Sequence, residues 1–167
     1  IGMALVAGDG RVLQLNAALC KLLGAREDQL VGRPFQDSVH PQDVDSLERQ
    51  WSGVLARDGT DATVELRCRR AGGEWVHVAL HSGQFADHDA SLPCLILQAQ
   101  DITARRQAEA QLQHIAYHDG LTSLANRIRF GDCLAQAIDR CKRDPDYQFA
   151  VMYLDFDRFK LINDTLG

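Results

Sequence analysis

The sequence predicts an α+β fold: an antiparallel sheet with small helices over residues 1–102, a connecting helix over 103–118, and an α/β unit over 119–167. Three observations carry this. The first hundred residues consist mostly of short strand-like segments broken by turn formers. A stretch without Gly or Pro follows. After it comes a helical pattern, and then an apolar run that ends in acids.

The first pair of strands is read from "MALVAGDGRVLQLN", where Asp9-Gly10 marks a hairpin turn. In "NAALCKLLG", Asn16 is placed to cap a short helix and Gly24 to end it. "HPQDVDSLERQWSGVLARDG" puts Pro41 at a first helical position, with Val44, Leu47, Trp51, Val54 and Leu55 on one face. "TVELRCRR", the turn "AGG" and "EWVHVALHS" form a hairpin. Alternation sets Val64, Leu66 and Cys68 on one face, and Trp75, His77, Ala79 and His81 in another register. "LPCLILQAQDI" supplies the last strand.

Composition narrows the class. At 46% apolar and 25% charged, the 167 residues suit one domain or two small ones. Residues 1–101 hold 14 acids against 9 bases and residues 102–167 hold 9 of each, so neither half has the basic excess of a nucleic-acid binder. No run approaches the roughly 20 apolar residues of a membrane span. The expectation is a cytoplasmic chain, joined to a membrane only if an anchor precedes Ile1. Cys20, Cys68, Cys94, Cys133 and Cys141 are odd in number and form no CxxC, and so read as buried thiols.

The hairpin, "LNAALCKLLG", "LVGRPFQDSVHPQDV", "ELRCRRAGGEWVHVAL" and the closing "DITARR" together resemble a PAS sensory domain over residues 1 to about 103. Residues 103–118 would make a helix of roughly 24 Å. Arg105, Ala108, Leu112 and Ile115 lie on it at heptad-like spacing. Pattern alone leaves open whether that stripe packs on a neighbouring domain or on a second copy. The resemblance favours a connector that drives an effector domain, with Asp101 or Thr103 capping its start, and implies a homodimer formed through the PAS domain and this helix.

Six histidines raise the question of haem. His40 fits a helix-entry turn equally well, and His77 and His81 fit sheet positions. An apolar pocket for an unidentified small molecule is the default expectation for the sensor.

In the second half, Ile128, Leu134, Ala137, Ile138 and Cys141 fall at helical intervals. "RDPD" breaks that helix, and "QFAVMYLDFD" reads as a strand covered on both faces. Asp155 and Asp157, two apart, point the same way in an extended chain, at the strand end where open α/β sheets bind ligands. Two hard oxygen donors suit Mg²⁺, Lys160 could meet a phosphate, and the Asn163 amide could read a base edge. Acids at a strand end are more commonly just solvated, and the dyad alone favours that reading.

"DGLTSLANRIRF" followed by "YLDFDRFKLINDTLG" is similar to the opening of a GGDEF domain, the catalytic module of diguanylate cyclases. The resemblance implies a truncated nucleotidyl-cyclase-like α/β domain and a reaction joining two GTP molecules into cyclic di-GMP, each 3′-hydroxyl attacking the α-phosphate of the other nucleotide. Carried over, Asp155 matches a catalytic metal ligand and Phe156 the residue lending its backbone carbonyl to Mg²⁺. Lys160, Asn163 and Asp164 lie among the nucleotide contacts, Asn163 at the guanine. Asp157 matches the pattern in a supporting role. Asp119, Leu121, Thr122, Asn126 and Arg127 match an early motif of structural character. Ser123 stands where the family usually has Gly, and Ala125 where it has Pro. The resemblance leads one to expect the GG(D/E)EF segment itself beyond Gly167, so residues 1–167 alone are expected not to cyclise GTP.

Two further functions stand beside the PAS-regulated cyclase. "AYHD" resembles composite proteins in which a regulatory, GTP-binding GGDEF part precedes an EAL phosphodiesterase. A plain PAS dimerisation module is the third.

Overall fold

The computed structural model describes residues 1–56, 61–85, 93–155 and 157–166. The chain divides into two units, residues 1–111 and 112–167.

The first unit is built on a five-stranded antiparallel sheet: β1 Gly2–Ala7, β2 Val12–Leu15, β3 Ala62–Arg69, β4 Trp75–Phe85 and β5 Cys94–Asp101, in the order β2-β1-β5-β4-β3. Between β2 and β3 lie α1 Ala17–Leu23, α2 Glu27–Leu30, a 3-10 turn Phe35–Ser38 and α3 Pro41–Ala56. The predicted hairpin forms, with the Gly10 N–H donating to the Ala7 carbonyl at 2.8 Å and Gly10 at φ 88°, where a side chain would be strained. Asn16 caps α1 by accepting from the Leu19 N–H at 2.9 Å, and Gly24 ends it in the left-handed region.

Alternation sends Leu66, Cys68, Val76, Val78, Leu80, Leu95 and Leu97 to one face of the sheet, where they are buried with Leu19, Leu23, Leu47, Trp51 and Val54 of the helices. Each large apolar side chain so covered contributes roughly 1.5–3 kcal/mol. Inside this core the Trp51 indole N–H donates to the buried Ser82 hydroxyl at 3.2 Å, so that polar side chain of the sheet face is satisfied.

The second unit holds the end of α4 Thr103–Tyr117, then α5 Arg127–Arg143 and α6 Phe159–Leu166. The strand expected over "QFAVMYLDFD" does not form: residues 147–155 have no regular secondary structure, and Met152, Tyr153 and Leu154 are exposed. A strand exists only through its ladder, and among the described residues of this unit none offers it a partner. The same lack of cover leaves Ile128 and Ile138 of the α5 stripe exposed. Cys133 is exposed as well, against the expectation of five buried thiols, whereas Cys68 and Cys94 are buried. Burial pushes the Cys68 thiol up to about 12. No helix among the described residues is long and apolar enough to cross a membrane.

Candidate functional site

The best-built polar arrangement lies where the sheet hands over to α4. Ile102, buried, donates its N–H to the His77 carbonyl at 2.9 Å, and the His77 N–H returns to the Thr103 hydroxyl at 3.0 Å. The Asp101 carboxylate accepts from the N–H of Thr103, the first residue of α4, at 2.9 Å. Its other oxygen takes the Arg70 guanidinium at 3.2 Å, and Arg70 also donates through Nε to the Leu22 carbonyl at 3.0 Å. Burial works to raise the Asp101 carboxyl, but the Thr103 hydrogen bonds and the charges of Arg70 and His77 outweigh it and leave it below the usual carboxylate range. One turn further on, Arg105 donates to Glu65 of β3 at 2.8 Å and Arg106 donates to the other Glu65 oxygen. The Arg106 hydrogen bond lowers the Glu65 carboxyl. The start of α4 is thereby tied to β3, to the β3–β4 turn and, through Arg70, to α1.

Glu65 and Arg70 escape sequence reasoning because their partners lie 40 and 31 residues away. The available clue was alternation, which sets Glu65 on the face opposite Leu66 and Cys68.

Among the described residues, His40 and His81 have local partners. His40 accepts the Gln42 N–H at 3.2 Å and packs on Trp75 with ring centroids 4.5 Å apart. His81 shares a 2.7 Å hydrogen bond with the Thr63 hydroxyl.

In the second unit, the early motif forms a knot. Asp119 accepts from the Leu121 N–H at 3.2 Å, the Thr122 N–H at 2.9 Å and the Thr122 hydroxyl at 2.8 Å; the Thr122 backbone bond leads in lowering its carboxyl. Asn126 caps α5 through the Ile128 and Arg129 N–H groups, and its amide donates to the Ala116 carbonyl at 2.7 Å. Ser123, at φ 57°, occupies a left-handed conformation that suits glycine.

Asp155 is exposed at the end of the irregular stretch, and Asp157 is exposed in the turn before α6. Arg158, between Asp157 and α6, has φ 59°. Lys160, Asn163 and Asp164 are exposed on α6, at spacings of three, one and four that place them within two turns. Phe156 lies outside the described residues. Among the described residues no three acids, histidines or cysteines gather into a metal-holding group. The two aspartates are of the right chemistry and number for Mg²⁺, which takes one or two protein carboxylates and completes its shell with water and phosphate.

Comparison with known proteins agrees with this division. The family described as "PAS fold" matches residues 2–107, and "Diguanylate cyclase, GGDEF domain" matches residues 116–167. A protein of Caulobacter vibrioides described as an uncharacterized signaling protein is 34% identical over 166 residues, which cover 97% of this chain and 19% of that one. The probable diguanylate cyclase DgcE of Escherichia coli is 30% identical over 172 residues, covering 100% of this chain and 15% of that protein. The chain thus spans less than a fifth of the length of either relative. Among solved structures, the PAS-B domain of Drosophila melanogaster Cycle with bound ethylene glycol superposes with a TM-score of 0.56 at 16% identity, covering 60% of this chain and 99% of that one, a likeness of fold. With the sheet, the α4 junction and the Asp119 knot, these matches establish that the chain belongs to the PAS fold family over residues 2–107 and continues into a GGDEF-domain region over residues 116–167.

Proposed function

We propose that this chain is the sensor, connector and first part of the catalytic domain of a diguanylate cyclase. The observation that carries the reading is that a PAS fold and a GGDEF region follow one another in this chain, and that the whole of it aligns at 30% identity with a protein described as a probable diguanylate cyclase. The polar tie between Glu65, Asp101 and the start of α4 supports a connector whose position follows the sheet.

In this reading two copies associate through the PAS domain and α4. Leu112 and Ile115, 67% and 63% exposed, are the apolar residues available for such a seam. A small molecule bound to the PAS domain acts by its differential affinity for two packings of the pair, and α4 carries that choice to the catalytic halves. There Asp155 and the Phe156 carbonyl would hold Mg²⁺, with Asp157 in support. When bound, the ion neutralises charge that develops on the phosphates. Lys160 offers a point charge to phosphate, Asn163 pairs with the guanine edge, and Asp164 borders the same helix face.

The test is Asp155→Asn in the whole protein that contains this chain. Formation of cyclic di-GMP from GTP, followed by chromatography, is expected to fall to background while light scattering still reports a dimer. Full turnover by the variant would refute the metal assignment. GTP binding without turnover in the unmutated protein would instead favour the regulatory, EAL-linked arrangement.

A further inference from the structure

A cavity of about 140 Å³ lies between β2, α1, α2 and the 3-10 turn of the first unit. Its apolar wall includes Leu19, Leu23 and Phe35, each buried, and the partly buried Leu30. The volume is close to the roughly 150 Å³ of an apolar cavity able to take up benzene, so it admits a short aliphatic side chain. Two charged residues, Arg33 and Asp37, also line it, and both are exposed to solvent. Among the described residues neither makes an ion pair or a side-chain hydrogen bond, with the other or with any third group. Opposite charges that share one small cavity without closing on each other leave room for a molecule bearing both signs.

We propose that this cavity binds a free aliphatic α-amino acid of the size of valine or leucine. Its carboxylate meets the Arg33 guanidinium, its ammonium meets Asp37, and its side chain enters between Leu19, Leu30 and Phe35. Guanidinium recognises carboxylate through paired N–H donors, and the ammonium needs an acceptor, which Asp37 alone among these six residues supplies as a charge. A fatty acid would leave Asp37 facing a carboxylate, and an amine would leave Arg33 unmatched. Each mismatch sets like charges together or leaves one charge unanswered.

The inference rests on the sensor reading of residues 2–107 and names its ligand class. Titration calorimetry on the 167-residue chain tests it with L-leucine, L-valine, 4-methylpentanoate, isopentylamine and glycine as probes. L-Leucine or L-valine is expected to bind, the two singly charged analogues at least about tenfold more weakly, and glycine not measurably. Arg33→Gln and Asp37→Asn change exposed side chains that have no side-chain partner among the described residues, so they keep the fold by circular dichroism and each weakens leucine binding about tenfold or more. Leu30→Trp, which fills the cavity from its edge, abolishes binding. Absence of leucine and valine binding at millimolar concentration, equal binding of an analogue, or retention by either charge variant overturns the proposal. Because calorimetry reads binding alone, such a failure leaves the cyclase reading standing. A failed Asp155→Asn test likewise leaves the ligand assignment standing.

Discussion

Arg67 holds both oxygens of Asp43: Nη2 lies 2.8 Å from Oδ1, Nε lies 2.9 Å from Oδ2, and the Arg67 backbone N–H also donates to Oδ2 at 2.9 Å. The pair fastens the first turn of α3 to the middle of β3. With side chains only 20% and 32% exposed, it is less screened than an ordinary surface ion pair.

The Arg67 hydrogen bond leads in holding the Asp43 carboxyl down at about 2, below its value in the unfolded chain. A group depressed on folding contributes stability that is fully present above its unfolded pKa, near 4, and is lost as pH falls toward 2. We expect Asp43→Asn to cost about 2 kcal/mol at pH 6, measured by urea unfolding, and the gap from the unmutated chain to narrow steadily below about pH 4 and to close only below about pH 2. A gap that does not depend on pH would refute the linkage.

Glu65 receives both Arg105 and Arg106, and its loss should free the first turn of α4 without unfolding the sheet. Glu65→Gln is expected to raise amide exchange at residues 105–109 several-fold relative to β4, with little change in Tm. Unchanged exchange would show that Asp101 and Thr103 hold the helix without it.

The left-handed Ser123 gives the GGDEF-region turn a built-in strain. Ser123→Gly should stabilise the second unit by about 0.5–1 kcal/mol, since glycine removes the steric cost at positive φ and returns part of the gain as entropy of the unfolded chain. Thermal melting followed at Tyr117 and Tyr147 would detect it, and a lowered transition would contradict it.

The α4 stripe is tested by Leu112→Ser with Ile115→Ser. Sedimentation equilibrium should show the monomer–dimer Kd raised about tenfold or more while helix content holds. Unaltered association would refute the proposed α4 seam.

Much of the first unit was legible because its cues are local. Asp9-Gly10, Asn16, Gly24 and Pro41 mark their own turns and helix ends, and the alternation in β3 and β4 predicts the buried face that forms. The pairings that fasten those elements were not legible, since Asp43–Arg67 spans 24 residues and Glu65–Arg105 spans 40, and no short-range pattern links them. For the candidate catalytic residues, Asp155, Lys160, Asn163 and Asp164 are recognisable as types at a spacing. The strand expected beneath them depended on neighbours that the described residues do not supply.

The uncovered apolar run has a practical consequence. Phe149 to Leu154 is six consecutive residues without charge, proline or glycine, rich in β-formers, with its backbone free of ladder bonds. Such a segment is a template for stacking with its own kind, so concentrated solutions of the chain should seed cross-β fibres. Any strand that pairs with this run would also guard it against self-assembly.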